Sequence, residues 1–333
     1  MKLRPGLIAL VSGILSCVSL TTQAADSSDA ETSANENNER QYIRIARNED
    51  NFAALLQTSV IRFADSKQFP GRMVDLVGAI HLGEAGYYEE LNRRFVEYDA
   101  LLYEAVIPEE ALRRGLRPGS HGSGRELSDD EAWTESKVGL AAISAVQIGM
   151  KDVLGLEFQL AGVDYRPDNF IHADMTQEEM EESMAKRGES FSEMLAREMA
   201  KATLKQQERN PIAMNLDLIL SMLSSDRQYR VRRFAAVEMV KASTGDVFAT
   251  SDGTSTIITE RNIKALKVLR RELQKAGNRR IGLFYGAGHF ADMEQRMVEK
   301  LGFRRVSEHW LTAWELRPPK RESPKPRSRS SAR

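Results

Sequence analysis

The sequence predicts an α/β protein with a parallel or mixed central sheet, two related β-α-β halves and a helical insertion between them. Strand-helix-strand patterns occur near both ends of the chain's core, and the segment from about 128 to 225 has mainly helical patterns. Strands joined by helical crossovers are typical of parallel sheets. A helical segment between two such units favours one α/β domain with a helical cap.

The first β-α-β pattern precedes residue 107. Short runs rich in apolar and β-branched residues predict strands over 57–64, 72–79 and 100–106. Between the last two, Tyr87, Leu91 and Phe95 recur at fourfold spacing, which predicts a helix over 83–95. The two strands that flank this helix are therefore expected to form a parallel pair.

The segment after the first pattern is predicted to be helical. Its apolar run over 138–150 is too short to span a membrane. Thr176 and Glu179 form a capping box, which predicts a long helix to about residue 207. Pro211 is typical of the start of another helix, ending near 223, whereas 230–238 fits a helix or a strand.

The second β-α-β pattern comes late in the chain. Periodicity predicts helices over 260–276 and 291–301, and apolar runs predict a strand over 280–285 and one or two strands over 305–316. His309 is assigned to an edge strand within the last of these segments.

The first 24 residues are typical of a signal peptide. Lys2 and Arg4 precede an apolar run over 7–20, and Thr22-Gln23-Ala24 has small residues where a signal peptidase cleaves. The mature protein is then exported to the periplasm or the medium, with no transmembrane helix. The alternative is a lipoprotein anchored at Cys17, which is the only cysteine of the chain. Cleavage at Ala24 would exclude disulfides and a cysteine nucleophile.

Two polar segments flank the domain predicted over 41–316. Residues 25–40 read as an acidic, disordered linker, and residues 317–333 carry seven Lys and Arg against one Glu. A solvated end is the favoured interpretation of this basic tail, and weak contact with an anionic membrane surface is the alternative. The net charge of −1 gives no reason to expect a nucleic-acid partner.

One short pattern occurs twice. GAIH at 78–81 and GAGH at 286–289 each follow an apolar strand and precede a helix. Ligands of parallel sheets bind beyond the carboxyl ends of the strands, where His81 and His289 are expected to lie. Imidazole can bind a metal ion or carry a proton near neutral pH. Either histidine alone is better explained as a structural residue, but the matching pair favours function.

The residues that flank the histidines extend this hypothesis. Gly78 and Gly286 open the two motifs and are expected to let the backbone turn sharply and approach a bound cofactor or substrate. Glu104 lies in the otherwise apolar ALLYEAV run. A buried carboxylate is costly unless it is paired, so Glu104 is read as a metal ligand or general base, narrowly ahead of a structural partner for a buried arginine.

Together these pieces resemble the TraB/PrgY/GumN family, which includes the Tiki-type proteases and is related to erythromycin esterase-like and haem-binding ChaN-like proteins. The matching pieces are GAIH, the glutamate of LLYEAV, ERN at 260–262 and GAGH. They and their flanks cover about a quarter of the chain, and 107–258 contains no securely matching piece.

The resemblance implies a site made of His81, Glu104, Arg261 and His289. Tiki-like members are regarded as divalent-metal-dependent peptidases, which implies that His81, Glu104 and His289 hold Mn, Co or Zn. Erythromycin esterase-like members are hydrolases in which a histidine is thought to activate water. Arg261 is a candidate for stabilising an oxyanion or clamping a substrate carboxylate, and a salt bridge to Glu104 is nearly as well supported.

His172 and Asp174 are evenly balanced between two roles. They are candidate cofactor-binding residues, because they lie in the polar segment 163–176. In the other interpretation this segment is a loop that leads into the capped helix, with Asp174 serving the helix end.

Three functions follow from these residues. The leading hypothesis is an exported, metal-assisted hydrolase of peptides or of small esters or lactones, with a metal-free version close behind. The second is a binding protein in which the two histidines hold haem. The third is an interaction protein that has the fold without activity.

Overall fold

The structure is a computed structural model that describes residues 40–118, 154–190, 193, 226–243 and 254–318. These residues form an α/β fold around a seven-stranded mixed sheet, so the predicted fold class is confirmed. The strands of the sheet are β1 (Ile43–Arg47), β2 (Ala53–Ala64), β3 (Met73–Ala79), β5 (Ala100–Tyr103), β7 (Phe170–His172), β8 (Arg280–Gly286) and β9 (Arg304–Glu315). Two short strands, β4 (Leu82–Gly83) and β6 (Glu157–Phe158), pair separately.

Helices cover the sheet. They are α1 (Ala85–Phe95), α2 (Glu109–Arg113), α3 (Gln159–Gly162), α4 (Gln177–Arg187), α5 (Arg227–Ser243), α6 (Arg261–Gln274) and α7 (Phe290–Leu301). A π-helical turn, Thr256–Glu260, leads into α6, and a 3-10 turn, Ala287–His289, leads into α7. None of the described helices is both long and apolar enough to cross a membrane.

The strand order is β9-β2-β3-β8-β5-β7, with β1 beside the first half of β2 on the same side as β3. Strands β3, β8, β5 and β7 are parallel to one another, whereas β2 is antiparallel to β3, β1 and β9. The strand β8 therefore separates β3 from β5, which were expected to pair directly. Non-consecutive strands at the centre bring the two chain halves into one sheet.

The two β-α-β units cross the sheet in opposite directions. From β3, the chain passes through α1 over β8 to β5, and from β8 it passes through α7 over β3 and β2 to β9. Right-handed crossovers in opposite directions place their helices on opposite faces. Successive residues of β8 point to opposite faces of the sheet, and Phe284 contacts Phe95 of α1 whereas Tyr285 contacts His289.

Several predicted elements change in extent. The strand predicted over 100–106 ends at Tyr103, so Glu104 follows the strand instead of lying in it. Residues 230–238 belong to α5, and 305–316 forms the single strand β9, where His309 lies at the sheet edge as predicted. The strand β1 had no predicted counterpart.

The helix predicted from Thr176 to about residue 207 was wrong at its C-terminal end. Helix α4 ends at Arg187, because Gly188 adopts the left-handed conformation (φ 64°) that terminates helices. The segments 129–153 and 211–223, the signal peptide, nearly all of the linker and residues 319–333 of the tail lie outside the described residues.

The predicted capping box is present at the start of α4. The Thr176 hydroxyl accepts a hydrogen bond from the Glu179 amide at 3.2 Å, and the Glu179 carboxylate accepts one from the Thr176 amide at 3.0 Å. We expect Thr176→Ala to lower the free energy of unfolding by about 1 kcal/mol in urea denaturation. Glu182→Ala, an exposed change on the same helix, is the control and should stay within about 0.5 kcal/mol of the wild type. Equal losses would contradict a specific capping role.

Candidate functional site

The predicted site residues follow three neighbouring parallel strands, at the carboxyl-terminal ends of these strands. His81 comes two residues after β3, His289 three residues after β8, and Glu104 immediately after β5. The register aligns Ala79 with Gly286 and Tyr103 with Phe284, so the three strands end almost level. Carboxyl strand ends of a parallel sheet are a common place for ligand sites.

His289 is buried at this edge, with 5% of its surface exposed. Its Nδ1 lies 2.7 Å from Oδ1 of Asn262, the second residue of α6. Its Nε2 lies 3.5 Å from Oε1 of Glu104. The ring is therefore held on one side by an amide and turned on the other side toward a carboxylate.

His81 is exposed, in contrast to His289. Its Nδ1 lies 3.1 Å from Oε1 of Gln159, the first residue of α3. The backbone carbonyl of His81 also accepts a hydrogen bond from the Gln159 amide at 2.8 Å. In both motifs, then, a side-chain amide oxygen approaches Nδ1 of the histidine.

Glu104 has a donor on each carboxylate oxygen. Its Oε1 accepts a hydrogen bond from Nη2 of Arg261 at 2.6 Å, and its Oε2 accepts one from the backbone N–H of Gly286 at 2.6 Å. A Cβ at residue 286 would lie 3.3 Å from that oxygen, tighter than most packing contacts. The glycine that opens the second motif thus lets a carboxylate approach the backbone, and its φ of −52° requires no unusual turn.

Arg261 joins Glu104 to Asp174. Its Nε and Nη2 donate to Oδ1 and Oδ2 of Asp174 at 2.9 and 2.6 Å, a bidentate pair, and Asp174 is fully buried. Nη1 has a longer contact with the carbonyl of Ile257, at 3.5 Å. The predicted salt bridge between Arg261 and Glu104 is present, as one link of a chain from His289 to Asp174.

The electrostatic environment keeps Glu104 and Arg261 charged. Burial raises the pKa of Glu104, but the positive charge of Arg261, with smaller contributions from His289 and His81, holds that pKa well below its usual range. Burial lowers the pKa of Arg261, but Asp174 and Glu104 keep it well above its usual value. Glu104 is therefore an anion at neutral pH, and its Oε1 lies 3.5 Å from Nε2 of His289.

A pH dependence of stability follows from the lowered pKa of Glu104. As the pH falls, the unfolded chain takes up a proton at this carboxylate at about pH 4.3, before the folded protein does. The stabilisation is therefore complete above that pH and is lost as the pH falls toward the folded pKa. We expect the free energy of unfolding to fall more steeply between pH 6 and pH 3 or so in the wild type than in Glu104→Gln, measured by urea denaturation. Parallel curves would contradict this.

The remaining predicted residues also have protein partners. Nε2 of His172 lies 2.7 Å from the carbonyl oxygen of Ala105, and burial lowers the pKa of His172. Gly78 lies within β3, where a Cβ would come within 3.0 Å of the Ser59 carbonyl oxygen. Packing against β2 thus explains Gly78, and cofactor binding by Gly78, Gly286, His172 and Asp174 stays a prediction.

The predicted metal ligands fit a metal ion poorly. A divalent ion would sit about 2 Å from an oxygen of Glu104. That carboxylate already accepts hydrogen bonds from Arg261 and Gly286, and the guanidinium charge would repel the ion. Among the described residues, no group of three or more His, Cys, Asp or Glu side chains is placed to hold a metal. Metal binding by His81, Glu104 and His289, like haem binding, stays a prediction.

Gln159 and Asn262 are the contacts of the site that sequence reasoning missed. Asn262 stands in the ERN segment, next to the arginine that was singled out, so its position was a usable signal. Gln159 lies in a short helix of the central segment, and its contact with His81 depends on the chain folding back over 78 positions. Only tertiary structure could reveal that contact.

Comparison with known proteins adds no relative: no family model matches the sequence, and neither a curated protein nor a solved structure matches it. The resemblance to the TraB/PrgY/GumN family rests on the short motifs alone and stays a prediction.

Proposed function

We propose that this protein is a hydrolase in which His289, His81 and Glu104 carry the reaction without a metal ion. The observation that carries the proposal is the position of both histidines and one anionic carboxylate directly after three neighbouring parallel strands, with His289 and Glu104 facing each other. Paired histidines in matching settings are hard to explain by packing alone. The motif resemblance to hydrolytic families supports the same reaction class.

His289 is the proposed general base. Its Nε2 faces Glu104, whose negative charge stabilises the imidazolium ion that forms when the ring takes a proton from water. The hydroxide attacks the acyl carbon of the substrate, and as the acyl bond breaks the proton passes from His289 through His81 to the leaving group. A Cβ at Gly288 would meet no atom of the described residues within 4 Å, so this turn is not packed against that part of the protein.

His81 is the proposed second proton carrier. Because it is exposed while His289 is buried, it lies on the solvent side of the site, where the leaving group departs. Arg261 takes a different role from the predicted oxyanion clamp. Its Nε and Nη2 are engaged by Asp174 and Glu104, so we assign it as a positioning residue for the carboxylate.

The proposed substrates are peptides, small esters or lactones, met outside the cytoplasm if the signal peptide operates as predicted. The experiment is a substrate screen of these three classes with the mature chain purified without a His-tag. We expect hydrolysis that persists in EDTA. Activity that requires Mn, Co or Zn would contradict the metal-free mechanism, and failure on all classes together with haem absorption would favour a binding protein.

A further inference from the structure

We infer that Gln159 and Asn262 are positioning residues that hold His81 and His289 in one and the same tautomer, with the hydrogen on Nδ1 and the lone pair on Nε2. The inference deepens the proposed function and rests on it, since Nε2 is the atom that takes the proton.

The amide of Asn262 can be oriented in only one way. Its Nδ2 lies 3.1 Å from the carbonyl oxygen of His289 and 2.8 Å from Oδ2 of Asp292, and both of these atoms are acceptors. Arg296 donates to the same Asp292 oxygen at 2.7 Å, which keeps that carboxylate in place. Oδ1 of Asn262 therefore faces His289, and an acceptor at 2.7 Å from Nδ1 requires a hydrogen on Nδ1.

Gln159 repeats the arrangement at His81. Its Nε2 donates to the hydroxyl oxygen of Tyr165 at 3.0 Å, inside a buried pair, and its Oε1 faces Nδ1 of His81 at 3.1 Å. Its backbone N–H also donates a hydrogen bond to the His81 carbonyl oxygen, so Gln159 contacts His81 through both its side chain and its backbone. An amide oxygen from α3 and another from α6 thus reach the same ring atom of the two histidines.

This tautomer is not the default of the side chain. Free neutral histidine prefers the hydrogen on Nε2, and the partner of one ring nitrogen decides where the hydrogen sits. With the hydrogen on Nε2, neither ring could accept a proton at Nε2, the atom that in His289 faces Glu104. A histidine in the wrong tautomer loses most of its activity as a base. The two amides therefore prepare both rings for proton uptake.

The tautomers can be read directly by nitrogen-15 NMR of the histidine-labelled full chain, at a pH where the rings are neutral. The chain has only five histidines, and His81→Gln and His289→Gln assign the two signals. We expect both wild-type rings in the Nδ1–H form. An Nε2–H form at either ring would overturn the inference for that residue, and this reading requires neither catalysis nor a folded amide variant.

Variants of Gln159 and Asn262 test whether the two side-chain amides set the histidine tautomers. In Gln159→Leu and Asn262→Leu we expect the signal of His81 or His289, respectively, to shift toward the Nε2–H form, while Gln159→Glu retains an acceptor and the wild-type tautomer. Gln295→Leu, an exposed change on α7, is the control. Leucine variants that keep the Nδ1–H form would show that the amides do not set the tautomer.

Kinetics separate this inference from the proposed function. With a substrate found in the screen, we expect kcat to fall at least about tenfold in both leucine variants, with a smaller change in KM, and Gln159→Glu to recover part of the loss. Unchanged kcat in correctly folded leucine variants would contradict a positioning role. A wild type that hydrolyses none of the substrates would contradict the hydrolase, whereas the tautomers are decided by the spectrum alone.

Discussion

Replacing His289 with alanine is expected to lower kcat/KM by a factor of about 100 to 10,000, the usual contribution of a general base. The ring is buried, its Nδ1 is hydrogen-bonded to Asn262 and its Nε2 faces Glu104, so alanine removes the proposed proton acceptor. We expect His81→Ala to lower kcat/KM by a smaller factor, because that ring is exposed. The measurement is steady-state kinetics on the substrate identified by screening.

His309→Ala is the matched control. This histidine is exposed on β9, at the edge of the sheet away from the site, so its loss should leave kcat/KM unchanged. The double variant of His81 and His289 should be little worse than His289→Ala, because residues that act as a unit are not additive. Equal activity in the wild type, His81→Ala and His289→Ala would eliminate the proposed site.

Replacing Arg261 with methionine is expected to destabilise the fold by about 3 to 5 kcal/mol, the usual cost of removing one partner of a buried ion pair. Asp174 is fully buried and the Glu104 side chain is 15% exposed, so both carboxylates would lose their counter-ion in a poorly hydrated environment. The measurement is the free energy of unfolding in urea at neutral pH.

Two further variants show whether unpaired buried charge causes the loss of stability in Arg261→Met. Adding Asp174→Asn to Arg261→Met should recover part of the loss, since a neutral amide is less costly to leave unpaired than a carboxylate. Arg113→Met, which removes an exposed arginine paired with Glu110, should cost less than about 1 kcal/mol. A loss at Arg261 no larger than the loss at Arg113 would mean that the ion-pair chain adds little stability.

The local elements could be read from the sequence because their signals are local. Fourfold spacing of Tyr87, Leu91 and Phe95 predicted α1, and the Thr176 capping box predicted the start of α4. The end of α4 was missed because a single glycine, Gly188, stops the helix against an otherwise helical sequence. Such a stop depends on one residue's conformation and is weaker in the sequence than a periodic pattern.

The sequence by itself determined the α/β class, the repeated Gly-x-x-His turns and the charged residues nearby, because periodicity and spacing are properties of neighbouring residues. Tertiary structure alone decided that β8 inserts between β3 and β5, which brings His289 and Glu104 together across 185 positions of chain. It also decided the roles of Arg261, Gln159 and Asn262. Hydrogen bonds and ion pairs form between atoms a few ångströms apart, and such distances follow from the folded chain, not from the order of its residues.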